Sequence, residues 1–181
     1  RTSTRRLASH RNMAAAAPEA NAPPQPLPQP SIACSNEEME SWWEEHIGDP
    51  PAGLNPDAIR AWRDGNGFTM WHQVAADDDC GIDVCEWIKS RGLLDMINLR
   101  NDDEDETLLY VVVGRSQQEE AKARWMMANG ADVNAVTNTN TTIFLFVCWS
   151  RSLSFVHELA DKVTPDHLSM PDNYGCSPMQ Y

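Results

Sequence analysis

The sequence predicts an all-α solenoid of about three to four helix pairs, preceded by a helical cap and an extended N-terminal tail. A loop-and-helix phrase returns four times, and each copy carries a hydroxyl residue where its helix is expected to begin. These anchor residues are Thr69, Thr107, Thr142 and Ser177, so successive copies lie 38, 35 and 35 residues apart. A fixed period of this size is typical of stacked units, none of which can bury its apolar face alone.

Residues 1–34 are predicted to form an extended tail that is basic at its start and rich in proline after it. Residues 1–31 carry a net charge of +3, and the rest of the chain carries −16, which together give the total of −13. Six prolines in residues 18–30 favour a polyproline II spacer. The basic charge comes from four arginines that we expect to contact neighbouring molecules: Arg1, Arg5, Arg6 and Arg11.

The first 17 residues are rich in Arg, Ser, Thr and Ala and contain no acid, a composition that organelle transit peptides share. A flexible basic tail is the alternative interpretation. We therefore expect an intracellular protein, located in a chloroplast or mitochondrion under the first interpretation and in the cytoplasm under the second.

The acidic body argues against nucleic-acid binding, except through the basic tail, because phosphate contacts need lysine and arginine. It favours a basic partner, or serves solubility alone. No run of about 18 apolar residues occurs, so we expect no transmembrane segment. The sequence leaves open that the protein binds to the surface of a membrane complex.

Residues 35–63 are predicted to form two capping helices over the first repeat. Ser35 and Glu38 have the spacing of a capping box, and Asn55-Pro56 has the pattern of an N-cap followed by proline at the first helical position. Apolar residues follow Ser35 at helical spacing. A cap is expected because a stack of repeats otherwise exposes its core at the end.

Within residues 64–181, each copy is predicted to run from a loop into a short inner helix, then through a turn into a longer outer helix. The outer helices are expected to contain residues 84–88, 119–129 and 155–159. The fourth copy breaks off at Tyr181, so we expect either a longer natural chain or a partner that covers the open end. Apolar residues just after the anchors are expected to pack each inner helix against its neighbour: Met70, Leu109, Phe144 and Met179.

These phrases resemble the ankyrin repeat, in a divergent form. Gly130-Ala-Asp-Val-Asn-Ala135 matches the closing phrase of that family residue for residue. The opening phrase is matched in part by two sets of residues: Gly67, Thr69 and His72 in the first copy, and Gly175, Ser177, Pro178 and Met179 in the fourth. The resemblance covers residues 64–181.

The middle copies depart from the family pattern, since Asp105 and Asn140 stand where the family has glycine. Both residue types tolerate a positive φ, so the turn is still expected there. The resemblance implies that inner helices form a concave face beside projecting loops, and that this surface binds partners, most often other proteins.

Two regions are predicted to bind a partner. Five consecutive acids could dock a basic segment of another subunit or the protein's own tail, and a solvated loop is the alternative; they are Asp102, Asp103, Glu104, Asp105 and Glu106. In the family register Phe146 and Trp149 would face the concave groove, flanked by Gln73, Val111 and Arg115. Complete burial of the two aromatic residues between neighbouring repeats is the competing interpretation.

No catalytic site, cofactor or metal is expected. His72 is predicted to form hydrogen bonds within its repeat, and the five cysteines to be reduced and mostly buried. Asn140-Thr-Thr142 is a glycosylation sequon that would matter only in a secreted chain. The sequence thus predicts a non-catalytic scaffold or accessory subunit that stabilises a larger, organellar complex. The alternative is an RNA- or ribosome-associated protein that binds phosphates through its tail.

Overall fold

The computed structural model describes residues 34–48, 52–77, 80–115, 120–150 and 153–180, and these ranges contain eight α-helices and no β-strand. The predicted all-α class is confirmed for this part of the chain. The basic, Pro-rich residues 1–33 lie outside it. The helices are α1 (Asn36–His46), α2 (Pro56–Ala61), α3 (Met70–Ala76), α4 (Ile82–Ser90), α5 (Leu108–Arg115), α6 (Glu120–Ala128), α7 (Ile143–Ser150) and α8 (Leu153–Ala160). Short 3₁₀ turns cover Ala52–Leu54, Leu94–Met96, Pro165–Leu168 and Pro178–Gln180.

The first two helices begin as their sequences predict. The Glu38 amide donates to Ser35 Oγ at 3.2 Å, and the Ser35 amide donates to the Glu38 carboxylate at 2.6 Å. This reciprocal pair is a complete capping box, which satisfies two amides that no helical carbonyl can reach. At α2, Asn55 Oδ1 accepts from the Asp57 amide at 2.9 Å, and Pro56 occupies the first helical position. Both predicted helix starts are confirmed.

Side-chain hydrogen bonds join α1 and the turn Ala52–Leu54 to α4 and its C-terminal end. Trp87 Nε1 donates to Asn36 Oδ1 at 2.9 Å, while Arg91 Nη2 donates to the Leu54 carbonyl at 3.1 Å. Trp43 on α1 is fully buried and meets Trp62 edge-on, with ring centroids 5.7 Å apart. Edge-to-face aromatic pairs of this kind add to the burial energy of the rings.

The remaining helices form two neighbouring rows. Helix α3 packs on α5, α5 on α7, and α7 on the turn Pro178–Gln180, which gives one row. Helices α4, α6 and α8 lie behind it, since α5 packs on α6, α7 packs on α8, and α4 contacts α6. Large apolar side chains fill the space between the rows. No helix in the described ranges is long and apolar enough to cross a membrane.

Four loops that precede the inner helices share one backbone pattern. In each loop an amide donates to a carbonyl four or five residues later, at 2.9 to 3.1 Å. The four pairs are Asp64 with Phe68, Asn101 with Glu106, Thr137 with Thr141, and Asp172 with Cys176. The side-chain oxygen of each first residue also accepts from an amide inside its own loop. The loops are therefore closed by the same bonds in all four copies.

The residue two positions before each anchor has a positive φ in all four loops. Gly67 and Gly175 have φ of 76° and 81°, and Asp105 and Asn140 have φ of 57° and 60°. The prediction that aspartate and asparagine take the place of glycine in the middle copies is confirmed. Because each loop has a left-handed residue at the same position, the four different sequences form the same turn.

The last three loops are joined, at two successive junctions, by hydrogen bonds that repeat with the period of the sequence. The Asn138 amide donates to the Glu104 carbonyl at 3.1 Å, and the Asn173 amide donates to the Thr139 carbonyl at 2.9 Å. The side-chain amide of Asn138 donates to the Asp103 carbonyl at 3.1 Å, and that of Asn173 to the Asn138 carbonyl at 3.3 Å. The two bonds of the second junction reproduce those of the first, with every atom moved by 35 residues.

One packing prediction is wrong for the last copy. Met70, Leu109 and Phe144 are buried beside neighbouring helices, as expected, whereas Met179 is 85% exposed. It lies in the turn Pro178–Gln180, and no described helix follows to cover it. An apolar side chain at this position is buried only where a further element packs on its row.

Candidate partner-binding groove

The inner helices place corresponding side chains on one face, because residues four and seven positions after each anchor share a side of the helix. The first set is Gln73, Val111 and Phe146, and the second is Ala76, Gly114 and Trp149. A concave pocket of about 200 Å³ lies on this face between α5 and α7, and we call it the α5–α7 pocket. Its lining residues are Glu104, Glu106, Tyr110, Val111, Gly114 and Phe146.

Three aromatic rings form a row along the α5–α7 pocket. Tyr110 and Phe146 have ring centroids 5.1 Å apart, and Phe146 and Trp149 have centroids 5.8 Å apart with near-perpendicular planes. Tyr110 and Phe146 are half-buried, whereas Trp149 is 55% exposed. The competing interpretation, complete burial of both aromatic residues, is therefore wrong, because α7 presents them on the open side of the row.

The pocket is acidic. The charged side chains among its described lining residues are Glu104 and Glu106. Burial raises the pKa of the Tyr110 hydroxyl, and the negative charges of Glu106, Glu104 and Asp172 raise it further. The same fields that oppose a phenolate favour a cation at this position.

The five consecutive acids have different surroundings. Only Glu104 and Glu106 line the α5–α7 pocket. Asp102 packs against Gly67 of the preceding loop, and Asp105 forms an ion pair with Arg100 at 2.8 Å. Asp103 is exposed, and its carbonyl accepts from the next loop. Docking of a basic segment on these acids stays a prediction.

The predicted flanking residues have different positions. Val111 is buried and lines the pocket. Gln73 is half-buried, and its Nε2 donates to Asp64 Oδ2 at 2.9 Å, so it closes its own loop instead of lining the pocket. The side chain of Arg115 lies outside the described part of the structure, as do the predicted tail contacts of Arg1, Arg5, Arg6 and Arg11.

His72 forms the hydrogen bonds that its position predicts. Its Nδ1 accepts from the Thr69 amide at 3.1 Å, while its own amide donates to Thr69 Oγ1 at 3.3 Å. Nε2 therefore carries the proton and points at the Glu106 carbonyl of the next loop, 3.4 Å away. The side chain is 0% exposed, and burial lowers its pKa to about 4. It is a neutral structural histidine that joins two loops.

The five cysteines carry free thiols, as predicted. Cys80 and Cys85 are buried, but Cys34, Cys148 and Cys176 are only half-buried, so the prediction that most are buried is wrong. Burial, with Asp83 and Glu38 nearby, raises the pKa of Cys34 to about 11. In the described ranges no group of three or more His, Cys, Asp or Glu residues could hold a metal ion.

Tyr110 is the groove residue that sequence analysis missed. It stands three positions after its anchor, where the first copy has His72 and the third has Leu145. The repeat register by itself predicts that a residue three positions after the anchor is buried inside the stack. A signal was present in the sequence, since an amphipathic aromatic side chain replaces a buried histidine there and prefers a half-exposed site.

No protein-family model matches the sequence, and no curated protein is significantly similar to it. The described residues define an all-α protein whose inner helices and loops stack side by side. The α5–α7 pocket and the adjoining ring of Trp149 lie on the open side of the inner-helix row.

Proposed function

We propose that the chain is a non-catalytic repeat protein of the ankyrin type, which binds another protein along the groove over α5 and α7. The observation that carries this proposal is the repeated junction between loops, in which Asn138 and Asn173 make the same pair of bonds 35 residues apart. A repeated junction supports a stack of like units. Such stacks commonly serve as extended binding surfaces.

The groove supplies the second part of the argument. Trp149 is a large exposed aromatic side chain next to the half-buried ring of Phe146. Tryptophan and tyrosine are enriched among the residues that dominate protein–protein binding energies, because their large surfaces are desolvated on contact. The row of Tyr110, Phe146 and Trp149 is therefore a suitable anchor for a partner.

The role of His72 fits a binding protein better than an enzyme. Both ring nitrogens are engaged with backbone or hydroxyl groups of the loops, and its low pKa keeps it neutral at physiological pH. A scaffold role as an accessory subunit of a larger organellar complex is part of this proposal. Phosphate binding by the arginine tail stays a prediction, since that segment lies outside the described residues.

Site-specific photo-cross-linking in cells tests the proposal. In the full chain Trp149 is replaced by p-benzoylphenylalanine, and in a matched control the exposed Asp161 after α8 is replaced in the same way. We expect a discrete cross-linked protein from position 149 and none from position 161. Equal products from both positions, or none from either, would contradict a partner on this groove.

A further inference from the structure

We propose that the α5–α7 pocket binds the guanidinium group of an arginine in a basic segment of the partner protein. This inference rests on the proposed function, because it names the chemistry of the partner that the groove would hold. It depends on three features of the pocket: its carboxylates, its aromatic faces and its rigid rim.

The carboxylate of Glu104 is the primary charge. Glu104 is exposed and lines the pocket, so its carboxylate can pair with an incoming cation without being drawn out of a buried position. Glu106, also in the lining, adds negative charge while its carboxylate accepts from Asn101 Nδ2 at 3.0 Å. A cation entering the pocket is attracted by both carboxylates, because each brings a negative charge to the lining.

The rim that carries these acids is held in place by its backbone. The Glu104 amide donates to Asn101 Oδ1 at 3.2 Å, and the Glu104 carbonyl accepts from the Asn138 amide at 3.1 Å. The loop is thus fixed on both sides before any ligand arrives. A fixed loop loses little conformational entropy on binding, which favours affinity.

The aromatic residues favour guanidinium over ammonium. Tyr110 and Phe146 are inclined to each other by 53°, and Trp149 adds a ring nearly perpendicular to Phe146. A planar guanidinium can stack on one ring and donate two hydrogen bonds to a carboxylate at the same time, whereas a lysine ammonium is a strongly hydrated point charge. The pocket therefore matches arginine in both shape and charge.

Charge complementarity makes the occupant a basic segment of a protein. Residues outside 1–31 carry a net charge of −16, so a segment with several arginines is attracted to the body as a whole. A phosphate-rich partner would be repelled by the same field. The protein's own arginine tail is the rival occupant, and the experiment separates the two.

The test is calorimetric titration of the purified full chain with acetyl-Ala-Arg-Ala-Arg-Ala-Arg-Ala-amide at low ionic strength. The control peptide carries citrulline, a neutral isostere of arginine, at the same positions. We expect the arginine peptide to bind at least about tenfold more tightly than the citrulline peptide. We expect a lysine peptide to bind more weakly than the arginine peptide. Equal binding of the arginine and citrulline peptides would overturn the inference.

Two substitutions in one loop test the site itself. Glu104→Gln removes the carboxylate that lines the pocket, and Asp103→Asn removes a neighbouring exposed charge that does not. We expect E104Q to weaken the arginine peptide about tenfold and D103N to weaken it less than about twofold. Equal losses of affinity would mean that only the net negative charge of the protein attracts the peptide. The assignment of the peptide to the pocket would then be wrong.

A steric variant tests the cavity without changing charge. A Cβ added at Gly114 would lie 3.5 Å from Phe146 Cε1, an ordinary contact, so Gly114→Leu fills the pocket from its exposed rim. We expect G114L to lose most of the affinity for the arginine peptide while its thermal unfolding midpoint stays within a few degrees of the wild type. Retained affinity would place the peptide elsewhere and overturn the proposal.

The rival occupant is tested by replacing the tail arginines with glutamine in the full chain: Arg1, Arg5, Arg6 and Arg11. We expect unchanged peptide affinity. An affinity that rises with this change would assign the pocket to the tail and overturn the assignment to a partner.

The cross-linking result at position 149 is independent of the peptide titrations. If the arginine peptide does not bind but the cross-link at position 149 persists, only the inference about arginine is refuted. If the cross-link is absent, the proposed function is refuted.

Discussion

The ammonium group of Lys122 on α6 lies 3.1 Å from the carbonyl oxygen of Val74 on α3. It also donates to the Asp77 carbonyl at 2.8 Å, and the residue is only 3% exposed. The last carbonyls of a helix have no partner within the helix, and they carry the negative end of its dipole. A lysine from the next helix pair therefore caps α3.

Replacing this lysine is expected to loosen the contact between the first two helix pairs. Lys122→Met keeps the apolar stem and removes the ammonium group that donates to the Val74 and Asp77 carbonyls. We expect the free energy of unfolding to fall by about 3 kcal/mol, because hydrogen bonds from a charged donor contribute most. Denaturant titration measures the loss.

The matched control is Lys162→Met, which changes an exposed lysine after α8. It should alter the unfolding free energy by no more than about 0.5 kcal/mol. If both variants lose the same amount, the buried position of Lys122 has no special role in stability.

The low pKa of His72 makes the stability of the fold depend on pH. The value is about 4 in the folded chain against 6.5 for an unperturbed histidine. Above pH 6.5 the residue is neutral in both states and has no effect. Between pH 6.5 and 4 only the unfolded chain takes up the proton, so stability falls with falling pH by up to about 3 kcal/mol and then levels off.

His72→Gln isolates this effect from the titration of the carboxylates. Glutamine at the third helical position can still accept from the Thr69 amide, but it carries no titrating group. Unfolding free energies of the two proteins measured across that pH range should diverge as pH falls, with the wild type losing more. His157→Gln, which changes an exposed histidine on α8, should keep the wild-type pH dependence. Parallel curves for H72Q and the wild type would refute a buried neutral imidazole.

The helix starts and turns could be predicted from the sequence because they depend on local chemistry. Ser35 with Glu38, and Asp105 with its positive φ, each follow from a few neighbouring residues. Their backbone bonds lie within one turn, where residue type and spacing decide the geometry. The same holds for the period of the loops, which is visible as spacing along the chain.

The contacts between units could not be predicted in this way. Lys122 reaches a carbonyl 48 residues earlier, and Tyr110 enters the pocket only because α5 and α7 are neighbours. The acids from Asp102 to Glu106 were grouped by sequence, but the turn directs them to different neighbours. These positions are decided by how helices and loops meet in space, which composition and periodicity do not specify.

Asn140 combines a left-handed backbone with a bond to the next loop. Its φ is 60°, and its Nδ2 donates to the Pro171 carbonyl at 2.9 Å. Asn140→Gly removes the bond but relieves the backbone, whereas Asn140→Ala removes the bond and keeps the unfavourable φ. We expect the alanine variant to be less stable than the glycine variant by about 1 kcal/mol, measured by denaturant titration. Equal stability would mean that the loop relaxes to a negative φ.

The same bond bears on the glycosylation sequon. A glycan on Asn140 Nδ2 would remove one of the hydrogens that this nitrogen offers and would have to pass the adjoining loop at Pro171. Expression of the chain in a secreting host, followed by glycosidase treatment, should therefore produce no mass shift from position 140 in folded material. A shift of one glycan in folded material would show that the loop accommodates a glycan at this position and would contradict the prediction.

The junction between loops depends on Asn138, whose side-chain amide donates to the Asp103 carbonyl. Asn138→Ala removes this bond and leaves the backbone bond to Glu104 in place. We expect the unfolding free energy to fall by about 1 kcal/mol, the usual contribution of one neutral hydrogen bond. Asn66→Ala changes an exposed asparagine in the first loop and should cost less than about 0.5 kcal/mol. Since Asn173 makes the equivalent bond at the second junction, Asn173→Ala should lose a similar amount. A loss at Asn138 alone would show that the second junction is not energetically equivalent to the first.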